Sequence, residues 1–76
     1  MGTFYWFRDG QFGEVEAYTW EEAKKVIGPG KFVVDPTVTR SYLFLLINDE
    51  GEEVGIPRWA MPKEFLVRLV ILGVGI

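Results

Sequence analysis

The stretch that decides the fold is Gly13–Asp35, GEVEAYTWEEAKKVIGPGKFVVD. Its first part alternates: Val15 and Ala17 point one way, Glu14 and Glu16 the other, as in a strand with one covered face. Thr19-Trp20-Glu21-Glu22 then forms a capping box. The Thr19 hydroxyl can accept from a first-turn N–H, and Glu22 can reach back to the Thr19 N–H. The helix runs on through Ile27, with Trp20, Ala23, Val26 and Ile27 on one stripe and Glu21 and Lys25 paired at i,i+4. Gly28-Pro29-Gly30 stops it. Lys31–Asp35 (KFVVD) is the next strand, broken by Pro36.

On the N-terminal side, Thr3–Arg8 (TFYWFR) reads as a strand on its aromatic and threonine content. Asp9-Gly10 is a hairpin turn, so this strand pairs with Gly13–Tyr18. On the C-terminal side, Thr39–Asn48 (TRSYLFLLIN) is the longest strand candidate. Its apolar end suits a strand covered on both faces. Asp49-Glu50-Gly51-Glu52 turns the chain into Glu53–Pro57 (EVGIP), with Pro57 at a strand end. Residues 63–72 carry a helical stripe of Phe65, Leu66, Leu69 and Val70 continuing to Gly73. Pro62 suits the first helical position, Glu64 and Arg68 are spaced to pair, and Gly73-Val74 suits a Schellman ending. The β-branched Val67, Val70 and Ile71 would also read as a buried strand; we take the helix. The expectation is a single α+β domain over residues 1–76. It has a small antiparallel sheet of four to five strands in ββαβββα order, one central helix and a C-terminal helix, with the helices on one face of the sheet.

Composition narrows the chemistry. A chain of 76 residues buries only roughly 60% of its unfolded surface on folding. Its 49% hydrophobic and 16% aromatic content compensates for the small size. With no cysteine, thiolate catalysis, disulfides and cysteine-ligated zinc are excluded. With no histidine, the usual general base near neutral pH and the commonest metal ligand are missing. Ser41, the only serine, has no histidine to activate it. We therefore expect no enzyme, no catalytic residue, no metal and no cofactor.

The acidic turn at Asp49, Glu50, Glu52 and Glu53 is too short for a calcium loop and reads as a solvated hairpin tip. Gly28-Pro29-Gly30-Lys31 follows a helix instead of opening one, so it reads as a helix stop and not a phosphate loop. A net charge of −3 with scattered basic residues argues against nucleic acid as partner. The apolar run Phe65–Ile76 is too short to span a bilayer and contains Arg68, so no membrane association is expected. No secretory leader precedes the first strand, and the chain reads as cytoplasmic.

Two places suit contact with a protein. Tyr5 and Phe7 share one face of the first strand, opposite Phe4 and Trp6. If helices cover only the other face, Tyr5 and Phe7, with Phe12, form an exposed aromatic surface; otherwise the C-terminal segment buries them. The second place is Arg58-Trp59-Ala60-Met61, bracketed by Pro57 and Pro62. Arg58, Trp59 and Met61 have the composition of interface anchors; otherwise Trp59 plugs one end of the core. The candidate interface is thus Tyr5, Phe7, Phe12, Arg58, Trp59 and Met61. A homo-oligomer, or a single-stranded nucleic acid stacking on the aromatics, are the alternative uses of such surfaces.

The run Glu14–Ile27 (EVEAYTWEEAKKVI), preceded by an aromatic strand, resembles a pattern in small phage-encoded inhibitors of host enzymes, of the RNA polymerase inhibitor or anti-CRISPR type. The likeness covers about a third of the chain and carries over no functional residue. It implies a compact inhibitor or adaptor that blocks a larger host enzyme.

Overall fold

A computed structural model describes residues 2–35 and 43–74. The elements are β1 (Gly2–Arg8), β2 (Gln11–Ala17), α1 (Trp20–Ile27), β3 (Lys31–Asp35), β4 (Leu43–Ile47), β5 (Glu53–Gly55), a short 3-10 turn (Arg58–Ala60) and α2 (Lys63–Ile71). The order is the expected ββαβββα, and residues 63–72 are helical save for the cap at Leu72. Part of the long strand expected over Thr39–Asn48, together with Pro36 and Ser41, lies outside the described residues.

The five strands form one antiparallel sheet in the order β2-β1-β3-β4-β5. β1 pairs with β2 through a two-residue turn, Asp9-Gly10, with φ of 47° and 81°. Positive φ at both centres is the geometry of a type I′ turn, whose twist matches the flanking strands. β2 and β3 flank β1 and so run parallel to each other, which requires a crossover. α1 is that crossover. Thr19 caps it by accepting from the Glu22 N–H at 3.2 Å. The Glu22 carboxylate reaches back to the Tyr18 N–H instead of the expected Thr19 N–H. Gly28, at φ 81°, ends the helix, and its N–H donates to the Lys24 carbonyl.

The helices cover opposite faces of the sheet, which corrects the expected one-sided arrangement. Phe4, Ala17, Val33 and Ile47 pack with Ala23 and Ile27 of α1. Phe7 and Val34, on the other parity of the same strands, pack with Phe65 and Leu69 of α2 and with Met61 and Val74. The physical reason lies in β1: aromatic side chains of both parities have to leave water, and one helix can cover only one face. α1 ties itself to the far edge of the sheet as well. The Trp20 indole N–H donates to the Glu53 carboxylate, which Lys24 also meets at 3.4 Å. Lys24, and not the expected Lys25 with Glu21, makes the ion pair of this helix among the described residues. Val26, expected on the buried stripe, is exposed.

α2 starts at Pro62, which occupies the N-cap and not the first helical position. It ends in the expected Schellman motif. Gly73 has φ 75°, its N–H donates to the Val70 carbonyl, and the Val74 N–H donates to the Leu69 carbonyl. Val74 and Leu69 share one buried cluster, the hydrophobic contact that accompanies this motif.

Candidate protein-interaction surface

The six residues picked out as an interface divide cleanly. Phe7 and Met61 are 8% and 3% exposed, inside the cluster under α2. Tyr5 and Phe12 are half-buried against the same cluster. Phe7 stacks on Phe65 at 5.6 Å between centroids, and Phe12 meets Phe65 edge-on at 5.8 Å. Tyr5 lies 5.8 Å from Phe12. Phe65 of α2 thus covers Phe7 and part of Phe12, and Tyr5 and Phe12 keep only part of their surface open. Arg68 lies over the Phe12 ring at 5.1 Å and closes that edge, instead of making the expected pair with Glu64.

Arg58 and Trp59 remain on the surface, and Trp59 is 86% exposed. The local chain explains how an indole is held in water. Pro57 and Pro62 fix φ at both ends of the connection. Within it the Ala60 N–H donates to the Pro57 carbonyl and the Met61 N–H to the Arg58 carbonyl, at 2.9 and 3.1 Å. Met61 anchors the turn from below in the core. With Met61 inward, the one-turn geometry leaves Trp59 outward.

A second exposed apolar surface lies on α2, and it takes in Val70, expected on one stripe with Phe65, Leu66 and Leu69. Lys63, Val67, Val70 and Ile71 stand at the i, i+4, i+7, i+8 spacing of one helix face, and all are exposed. Val67 and Val70 are each 59% exposed and Ile71 is 74% exposed, with Leu72 following at the helix end. The opposite face supplies the buried Phe65 and Leu69. α2 is thus apolar on both sides, and the sheet takes only one. The signal was present as a helix apolar nearly all round, a pattern of helices covered on every side.

Charge is unevenly divided along the chain. Beyond residue 53 the chain carries Arg58, Lys63 and Arg68 against Glu64, a net +2, so the first 53 residues carry −5 of the total −3. Arg58, Lys63, Glu64 and Arg68 are all exposed.

The remaining candidates reduce to structure. In the acidic turn, the Asn48 side-chain oxygen accepts from the Glu50 and Glu52 N–H groups, and Gly51 takes φ 80°. Glu53 is engaged with α1. Among the described residues no group of carboxylates is placed to hold a metal ion, and no helix is long and apolar enough to cross a membrane. An open hollow of about 380 Å³ lies between the end of α1 and the β4–β5 turn, lined by Glu21, Lys24, Lys25, Gly28, Pro29, Ile47 and Gly51. Comparison with protein-family models, with curated proteins and with solved structures gives no match for this chain.

Proposed function

We propose that this chain is a non-enzymatic protein-binding module that docks through Trp59 and the outer face of α2. One observation carries the reading: an 86%-exposed tryptophan, held out between two prolines, just ahead in sequence of a helix whose exposed stripe is valine and isoleucine. Tryptophan and arginine dominate the energetics of protein interfaces, and apolar surface left uncovered on a small monomer marks a contact site. Helix propensity gives no competing reason for the stripe, since β-branched residues are weaker helix formers than alanine or leucine. The resemblance of Glu14–Ile27 to phage-encoded inhibitors supports a host enzyme such as RNA polymerase as the class of target, with inhibition by occlusion.

The test is a quantitative pull-down from a bacterial lysate with the native chain and with Trp59→Ala/Ile71→Ala. A protein retained by the native chain and released by the variant supports the reading. Retention of no specific protein at micromolar concentration counts against it. The same uncovered stripe is what favours a second reading, self-association into a homo-oligomer. A mass that stays monomeric in light scattering across concentration removes that reading. The base-stacking reading has less support, since Phe7 is buried and Tyr5 half-buried.

A further inference from the structure

Apart from the α2 surface, we infer that the free edge of β2 takes up an antiparallel strand of another protein in which cationic and apolar residues alternate. β2 and β5 are the two edges of the sheet. β5 is three residues long and is soon followed by Pro57, and shortness and proline are the usual ways of blunting an edge. β2 is seven residues long and contains no proline or lysine. It pairs with β1 one for one from Gly2↔Ala17 to Arg8↔Gln11, with no bulge. The two-residue turn makes Arg8 and Gln11 a hydrogen-bonded pair, so the alternation of the ladder turns the N–H and C=O groups of Phe12, Glu14 and Glu16 outward. Among the described residues no backbone group bonds to them from the open side. An extended segment supplies the missing partners by adding a sixth strand. Antiparallel pairing continues the pattern of every other pair in the sheet. The side chains select the occupant, because residues directly opposite in such a ladder share a face and interact. Glu14 and Glu16 are exposed and make no ion pair among the described residues, so lysine or arginine opposite each is favourable. Arg68 already lies over Phe12, which disfavours a cation opposite that residue. On the other face of β2 stand Gly13, with the Trp6 indole against it, and Val15. Trp6 and Val15 are only partly buried against the α1 core, and apolar residues between the cations extend their cover. A second copy of β2 is the poorer occupant. In each antiparallel register that pairs the outward groups, Glu14 falls directly opposite or diagonal to its own equivalent, and like charges there are destabilising.

Fluorescence anisotropy with labelled peptides and the full chain tests this. One peptide alternates lysine and valine, a second alternates glutamate and valine, and two more are the lysine peptide N-methylated at its lysine or at its valine amides. Two cross-strand pairs turned from attractive to repulsive predict that the lysine peptide binds about tenfold more tightly than the glutamate peptide at low salt. In the antiparallel ladder the lysine N–H groups face β2 and the valine N–H groups face away. Methylation at lysine is therefore expected to weaken binding by at least about tenfold, and methylation at valine to leave it unchanged. Glu14→Lys/Glu16→Lys, at two exposed positions, is expected to keep the fold by circular dichroism and to reverse the preference between the first two peptides. Equal binding of the lysine and glutamate peptides, or no binding of the lysine peptide, overturns the inference. Equal loss from the two methylations, or none from methylation at lysine, shows attraction without strand addition and overturns it as well. So does a native chain that dimerises through β2, seen as a concentration-dependent mass in light scattering that Glu14→Lys/Glu16→Lys alters. Each of these failures leaves the docking through Trp59 and α2 standing, since that surface is tested by its own variants.

Discussion

Gly13 lies opposite Trp6 in the β1–β2 pairing, and a β-carbon there would collide with the indole ring. The missing side chain is what lets Trp6 lie across β2, with Lys31 over the ring at 5.4 Å. Gly13→Ala should therefore displace the indole and destabilise the fold by about 1–3 kcal/mol, the usual range for overpacking; a chemical melt with a shifted tryptophan emission reads both effects. Trp59 and Met61, two residues apart, should behave in opposite ways. Trp59→Ala should leave stability within about 0.5 kcal/mol, as surface changes do. Met61→Ala should cost about 2–5 kcal/mol through loss of a core side chain. The sequence reading grouped the two as interface anchors because composition cannot tell which side of a single turn faces the core. Their separation depends on Met61 packing with Phe65 and Leu69 of α2, a tertiary fact.

At the scale of elements, local chemistry was readable where backbone signals were strong. Asp9-Gly10 gave the hairpin, Thr19-x-x-Glu22 the start of α1, and Gly28 and Gly73 the two helix ends. Removing the Thr19 hydroxyl by Thr19→Ala should cost about 1 kcal/mol, seen as a fall of roughly 4–8 °C in Tm. What was misread was coverage. The LFLLI run reads as a strand covered on both faces, yet β4 is only partly buried, with Leu43 exposed. The same rule fits β1 better, because Phe4 and Trp6 pack toward α1 while Tyr5 and Phe7 pack toward α2. Aromatic bulk on both parities of one strand demanded two covering layers. That inference would have placed α2 over Tyr5 and Phe7 and left its other side as the exposed surface.

Across the whole molecule, the fold divides its labour between the two faces. α1 and its contacts with Glu53 close one side, whereas α2 closes the other and presents exposed valine and isoleucine to solvent. Cutting the chain at Pro62 would uncover Phe7 and Val34, so a chain lacking α2 should lose cooperative unfolding and aggregate, as size-exclusion chromatography and a thermal melt would show. The outer stripe of α2 should contribute to binding and not to this closure. The most direct measurement is the pull-down from a bacterial lysate repeated with Val67→Ala/Val70→Ala/Ile71→Ala, whose alanines favour the helix. The predicted result is a folded chain whose affinity falls by at least about tenfold. A folded variant that binds as tightly as the native chain would contradict the assignment of this face.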